Sequence, residues 1–477
     1  MTPVCRWPPT GVKGAVVAAV VAALAGCAVG PDYVRPTFET TPAYKEAGDW
    51  KPSEPADALN RGPWWRVFSD AELDGLETQI NISNENVRAA AAAFDQARAL
   101  VAQAQAGFWP TIAASFGRQR GNSFGLPTET TNTAGVSANW DLDVWGSIRR
   151  TAESDRANAQ SSAAALAAAS LSAQADLATD YFELRAQDQL QRLLDDTVTA
   201  QQQSLKITQS RYHYGVAAKA DVVSAEAQLF ASQAQQVNAK IQRAILEHAI
   251  AVLIGRQPAS FSLSATAIRT DVPTVPPGLP STLLERRPDV AEAERKVAAA
   301  NAGIGVARAA YFPSLTLSGS DDYTSTGFSR LFTVPNRVWS LGPQLAETLI
   351  DGGLRRAQVA QARAAYAASV DNYRQTVLAG LEQVEDEIAT LRILEQQAVI
   401  EDAAVKAAKE AEALTLNQYK AGTVPYSSVI SAQTTTLSSE ETALTVLSDR
   451  LQASVALIEA LGGGWSSAQL PQGQQLH

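Results

Sequence analysis

Cysteine is nearly absent: the 477 residues hold two, Cys5 and Cys27. Cys5 lies in a leader-like N-terminal stretch, so one thiol is left and neither an internal disulfide nor a cysteine metal site can form. The three histidines, His213, His248 and His477, are too few and too scattered for a metal centre. His213 reads instead as a solvated cation near a helix end. No internal segment reaches 18 consecutive apolar residues, which excludes a membrane-spanning helix and leaves β-strands as the only integral route into a bilayer. Basic clusters are missing and the formal net charge is −10, a poor composition for binding nucleic acid. Proline is absent from 149–214 and from 354–421, and Gly380 is the one glycine in those stretches.

What is present begins with a processing signal. Arg6 and Lys13 precede the apolar run Gly14–Gly26, too short to span a bilayer but built like a secretory signal. Leu24-Ala25-Gly26-Cys27 resembles a bacterial lipobox, which implies cleavage before Cys27 and an N-acyl diacylglycerol lipid on that residue. Acyl chains contribute about 0.8 kcal/mol per buried methylene, so several make a stable anchor. Ala28 and Val29 lack the aspartate that retains some lipoproteins in the inner membrane, which points to the outer one. The mature chain is then 451 residues, 477 less a leader of 26, and loss of Arg6 and Lys13 moves the charge from −10 to −12.

The mature chain is written twice. Gln105–Ile112 matches Arg308–Leu315, Trp145–Arg150 matches Asp351–Arg356, and Arg211–Gly215 with Asp221–Ala225 matches Gln418–Gly422 with Ser428–Ala432. Pro110/Pro313, Arg149/Arg355 and Gly215/Gly422 are offset by 203, 206 and 207 residues. Matches in one order at nearly constant offset imply two homologous halves side by side, longer than any solenoid repeat. The expected segments are a signal peptide over 1–26, a lipidated extended segment over 27–70, repeats over 71–280 and 281–461, and a tail over 462–477.

Each half has the same parts. An alanine-rich helix (Ala71–Phe108, then Ser281–Tyr311) ends before Pro110 or Pro313. Two short strands follow. In Gly135–Val144, Val136, Ala138, Trp140, Leu142 and Val144 alternate with Ser137, Asn139, Asp141 and Asp143. Around Ser314–Ser320, Leu315 and Leu317 oppose Ser314, Thr316, Ser318 and Ser320. Such alternation fits a transmembrane barrel or a half-buried soluble sheet. Arg149–Tyr214 and Leu354–Ala421 then predict helices of about 100 Å, too long for a globular core. Val377, Leu381, Val384, Ile388 and Leu391 carry coiled-coil spacing. Gly215 and Gly422 break these helices, and return helices run over Asp221–Ile254 and Ser427–Leu461. The paired Arg149-Arg150 and Arg355-Arg356 start the long helices, where positive charge is unfavourable, so they are expected to meet acidic neighbours or lipid phosphates. Four strands per chain are too few for a closed barrel, so transmembrane strands demand several subunits in one barrel.

The run Gly278–Asp289, continuing through Ala299-Ala300-Asn301 to Val306–Pro313, closely resembles the TolC-type outer-membrane factors, in particular their OprM-like (NodT-type) lipoprotein branch. Cys27–Tyr33 and Trp64-Trp65 resemble that branch too. The resemblance implies a mainly helical homotrimer with a twelve-stranded transmembrane β-barrel continued by a periplasmic α-barrel. It implies a passive exit duct for drugs or other small molecules, working with a periplasmic adaptor protein and an inner-membrane RND pump in outer-membrane lipid.

The resemblance also places a gate at the tips, around Tyr212, Gly215, Gly422 and Thr423. An acidic residue six positions after the first tip glycine is expected to bond a tyrosine of the second half: Asp221 and Tyr419. Asp221 equally suits a helix cap. Where many relatives carry acids after the second tip glycine, this chain has Ser427, Ser428 and Ser431, with Val424 where an arginine is common. A constriction of serines, Thr423 and Tyr426 would act by size and hydrogen bonding.

No catalytic residue is expected. Gly121-Asn122-Ser123-Phe124-Gly125 fits G-x-S-x-G but sits in a polar loop between strands, without the strand–turn–helix context a nucleophile elbow needs. Gly462-Gly463-Gly464 reads as a helix terminator, not a phosphate loop. Alternative readings are an exit duct for ABC-driven type I secretion or metal efflux, and a non-pore periplasmic coiled-coil spacer, which would lack strands.

Overall fold

The computed structural model describes residues 28–47, 62–122, 128–275, 280 and 283–476. Cys27, the leader and Ser123–Gly125 of the G-x-S-x-G loop lie outside them. The first half runs α1 (Ala71–Ser83), α2 (Glu85–Ala106), β1 (Thr111–Gly121), β2 (Glu129–Asp141), α3 (Ser147–His213) and α4 (Lys219–Leu253). The second runs α5 (Pro288–Ala309), β3 (Ser314–Ser325), β4 (Arg337–Ala346), α6 (Leu354–Ala421) and α7 (Tyr426–Ala460). The long helices have 67 and 68 residues, so each is about 100 Å tall. The spacer reading fails on the strands.

Two helices expected as single rods are broken. Asn84 interrupts the first: its backbone is extended, and its side chain accepts from the Asn86 and Val87 N–H groups, both at 3.0 Å, while donating to the Leu253 carbonyl at 2.7 Å. Asparagine caps better than it propagates. Gly255 completes the joint with φ +67°, since a Cβ there would fall 2.1 Å from the Ser83 carbonyl. Pro288 interrupts the second, leaving one turn (Leu283–Arg286) before α5. Arg287, pushed off helical geometry by that proline, chelates Asp289 at 2.6 and 3.0 Å and donates to the Ala460 carbonyl at 2.8 Å. Its guanidinium also passes over Gly380, where a Cβ would stand 3.1 Å from Nε. That contact accounts for the lone glycine of the long helices.

The four strands form one antiparallel sheet in the order β1-β2-β3-β4, with β2 and β3 joining the halves. Thr111 faces Asn139, Asn139 faces Ser318, and Ser318 faces Gly342. This register gathers Ile112, Phe116, Val136, Trp140, Leu315, Leu317, Leu341 and Leu345 on one face, and Ser115, Ser137, Ser318, Ser320, Asp322 and Ser340 on the other. The apolar face is open, with Ile112 at 73% and Leu341 at 71% exposure. The second strand ends at Asp141, so Leu142 and Val144 fall beyond it, in the turn that leads to α3.

Laterally the helices stand in the order α4–α3–α7–α6, so α4 and α6 are the flanks. Val377, Val384, Ile388 and Leu391 are buried as the heptad spacing requires. Acidic groups answer Arg149, Arg150 and Arg355, while Arg356 is exposed with no ion pair among the described residues. Asp143 accepts from the Ile148 and Arg149 N–H groups at 2.9 Å and from Arg149 Nε at 3.2 Å. Arg150 meets Glu153 and Asp32, and Arg355 meets Glu347. At mid-height Arg185 and Asp188, both buried, join Glu72 and Arg243 at 2.6–2.7 Å, tying α1, α3 and α4 together.

Residues 28–47 form an extended strap. Val29 N–H donates to the Trp145 carbonyl at 3.0 Å, Tyr33 bonds Glu294, and Glu385 accepts from the Lys45 and Glu46 N–H groups at 2.7 and 2.9 Å. Gly146 (φ +80°) leaves room for Ala28, which a Cβ there would strike at 2.8 Å. The strap therefore starts at the strand–helix junction and runs down onto α6.

Glu77 on α1 is fully buried with no partner for either oxygen. Burial, with a smaller push from Asp74, raises its carboxyl from 4.5 to about 9, so it is neutral at pH 7. The folded state then holds a proton the unfolded state has lost, and stability falls as pH rises between about 4.5 and 9. Glu77→Gln should flatten that part of the guanidinium-unfolding pH profile, by at most roughly 1.4 kcal/mol per pH unit. An unchanged profile would contradict a neutral Glu77.

Candidate functional site

Both helical hairpins turn at the end remote from the sheet, and both turns are set by a glycine in the left-handed region. Gly215 has φ +72° and Gly422 φ +83°. After the first, Val216 N–H reaches back to the Arg211 carbonyl at 2.8 Å; after the second, Thr423 N–H and Oγ1 both reach the Gln418 carbonyl at 3.0 Å. These are the paired closures that left-handed helix ends supply. Pro425 precedes Tyr426, the first residue of α7.

A small apolar cluster holds the two tips together. Ala225, Tyr419, Tyr426 and Val429 are buried in it, with Leu205, Ile207, Leu416, Val424 and Ile430 packed around. The Tyr419 and Tyr426 rings meet edge-on at 5.2 Å. The Tyr419 hydroxyl lies 3.3 Å from Thr208 Oγ1 on α3. Arg211 lies over the Tyr419 ring at 4.8 Å and donates from Nη1 to the Lys420 carbonyl at 2.8 Å. One arginine of the first half thus stacks on a ring of the second and closes the end of its helix.

The expected Asp221–Tyr419 latch is not made in this chain. Asp221 stands in the first turn of α4, and its carboxylate accepts from the Ala218 N–H at 3.4 Å. Tyr419 is drawn inside the cluster by ring packing and by Thr208. Tyr426 also departs from expectation: it is 1% exposed and belongs to the cluster, not to a constriction. Ser427 and Ser431, one turn apart, are exposed, as are Thr423 and Tyr212, while Ser428 is half-buried. Lys219 sits over the Tyr212 ring at 5.7 Å. The sequence alone does not single out Thr208 and Arg211. Their one signal is their place in and just before the first tip motif.

Higher up, a groove of about 500 Å³ runs between α3 and α7, lined in part by Glu183, Glu441 and Asp449. Nearby, burial together with Asp176 and Glu183 raises the Asp180 carboxyl to about 6. No group of three or more metal-binding side chains occurs among the described residues.

An open sheet with one apolar face, mounted on hairpins of about 100 Å, defines an outer-membrane channel subunit that reaches into the periplasm. The chain belongs to the outer membrane efflux protein family, whose profile matches residues 77–256 and 279–463. It is 30% identical to the pyoverdine export outer membrane protein OpmQ of Pseudomonas aeruginosa over 453 residues, 90% of this chain and 94% of that one. It is 28% identical to the probable efflux pump outer membrane protein TtgC of Pseudomonas putida, with 93% of each covered. Among solved structures, the outer-membrane channel OprN superposes with a TM-score of 0.85 at 30% identity, covering 92% of this chain and all of that one. The family is one of transport ducts and not of enzymes.

Arg211→Ala should loosen the second tip more than Asp221→Ala does. Loss of the stacked cation and its carbonyl bond costs about 1–2 kcal/mol, against under about 1 kcal/mol for the cap. Amide exchange over the last turn of α6 reads the difference. Equal protection in both variants would remove Arg211 from the tip.

Proposed function

We propose that three copies share one twelve-stranded barrel and form the passive exit duct of a tripartite efflux system, continued into the periplasm by their helices. The observation that carries this is the open sheet: its outward face is apolar, and its edges β1 and β4 carry unpaired backbone groups that hydrocarbon does not tolerate. The internal duplication supports the same closure. The halves already join β2 to β3, and the same contact with the halves exchanged joins β4 of one copy to β1 of the next. The flank α4 offers a matching helical seam. Val223, Phe230, Val237, Ile241, Ile245 and Val252 are exposed along it on one helical face, ready for α6 of a neighbour.

The tips are the gate in this reading. Tyr212, Gly215, Gly422, Thr423, Ser427, Ser428 and Ser431 border it, while Arg211, Thr208 and Tyr419 hold each subunit's two hairpins together. Exposed hydroxyls in place of carboxylates make the narrowing weakly selective for charge. A periplasmic adaptor and an inner-membrane RND pump would engage the tips, and the pump would choose the cargo, a small organic molecule. A diacylglycerol-modified Cys27 fits the strap: Ala28 lies against Gly146, next to the base of the sheet, where acyl chains enter the periplasmic leaflet.

Purified protein should run as a trimer and conduct in a planar bilayer in small, rare steps, and Arg211→Ala should lengthen the open times. Monomers that never conduct, with or without Arg211→Ala, would defeat the shared barrel. Separately, Cys27→Ser should abolish labelling by radioactive palmitate in cells. Undiminished labelling would remove the anchor from Cys27.

A further inference from the structure

The outward face of the sheet changes character towards its hairpin loops. Two aromatic levels bound the apolar band. Trp109 and Trp140 stand at the helix end. Phe116, Tyr323 and Trp339 stand nearer the loops, where Phe116 meets Phe328 at 6.1 Å and Tyr323 meets Phe332 at 5.5 Å. Such belts mark the two interfaces of a bilayer. On β1 the next outward positions beyond Phe116 are Arg118 and Arg120, about 7 and 13 Å further along the strand at 3.3 Å per residue. Both are exposed, and neither has a hydrogen-bond or ion-pair partner among the described residues. The one acidic side chain on this face of the paired strands, Asp321, is already held by Arg337 at 2.7 and 2.8 Å. The other acids near the loops, Glu129 and Asp322, lie on the opposite face by register.

The geometry points to a binding site for the phosphates of outer-leaflet glycolipid, formed by Arg118 and Arg120 above the loop-side aromatic belt. In a chain of net charge −10, two free guanidiniums side by side at headgroup level are out of place unless something anionic meets them. Water alone would be served by any polar residue. Guanidinium is the side chain best matched to phosphate, through two parallel charge-assisted hydrogen bonds. The adjacent Phe116 and Phe328 rings give the sugar and first methylenes of such a lipid an amphipathic surface. The inference rests on the proposed membrane-spanning sheet. It adds a ligand: one phosphorylated lipid per subunit, clasped at the edge strand and so beside the seam with the next copy.

The test is native mass spectrometry of the full-length protein in detergent, titrated with diphosphoryl lipid A and with its enzymatically dephosphorylated form. The wild type should retain diphosphoryl lipid A, and R118Q/R120Q should weaken it by roughly tenfold per guanidinium removed. The dephosphorylated lipid should bind both proteins equally and weakly. Equal retention of diphosphoryl lipid A by both proteins would overturn the site, as would a loss that ignores the phosphates. Displacement of the lipid by equimolar inorganic phosphate would make it a free-anion site instead. The same spectra report subunit number. Trimers indifferent to lipid A sink this inference alone, whereas monomers that still bind it through the two arginines sink the shared barrel and keep the site.

Discussion

A backbone N–H or C=O has nothing but protein to bond in hydrocarbon, and that constraint governs the rest of this molecule. Each unsatisfied group costs several kcal/mol, so a sheet in lipid must close on itself. Four strands cannot. The sheet is open at β1 and β4, and the flanking α4 carries a run of exposed aliphatic and aromatic residues. On the proposed reading an isolated chain is unfinished at its sheet edges and along its α4 flank. On the reading proposed above, assembly is therefore the last step of folding, and the duct is what assembly leaves in the middle.

On the same reading the internal duplication makes that closure economical, because one contact type would serve inside the chain and between chains. Within the chain it is visible at several heights. The Trp145 ring stacks on Phe312 at 4.7 Å and its Nε1 donates to the Pro313 carbonyl at 2.7 Å, fastening the first-half turn to the second-half strand entry. At mid-height Arg287 joins α5 to the end of α7 and needs Gly380 to lie flat on α6. At the far end Arg211 and Tyr419 fasten tip to tip. The joints are asymmetric in detail: the first half docks the strap at Gly146, while Leu349 and Ile350 in the corresponding second-half turn are 90% exposed.

Much of this was written plainly in the sequence. Long proline-free stretches gave helices whose ends fell within a few residues of Gly215 and Gly422, because only glycine adopts the left-handed turn there without strain. Alternation gave the strands and their polar and apolar faces, since a period of two survives whatever covers the sheet. What stayed hidden depended on partners distant in sequence. Asn84 looked like one polar residue in an alanine-rich helix until Leu253 and Gly255 came to meet it. Asp221 and Tyr419 are compatible in chemistry, yet each has a nearer competitor: the free N–H of Ala218 for the carboxylate, the Arg211 guanidinium and Thr208 for the ring and its hydroxyl. Motif spacing cannot rank such competitors. Packing does.

The shared barrel is open to a covalent test, helped by a chain with only two cysteines, Cys5 and Cys27, both near the N-terminus. Within the chain Asn139 of β2 faces Ser318 of β3; the equivalent positions in the exchanged halves are Ala346 of β4 and Ser115 of β1. In one chain these two lie three strands apart, about 14 Å across the sheet at 4.7 Å per strand, and further apart along it, because Ser115 is level with Val338; that is beyond the reach of a disulfide. Across a seam between copies they would be direct neighbours. Ser115→Cys with Ala346→Cys, oxidised in membranes, should give a covalent ladder ending at three subunits that collapses on reduction, while each single variant stays monomeric under denaturing conditions. A double variant that remains a monomer after oxidation would contradict a barrel closed by β4 of one copy on β1 of the next.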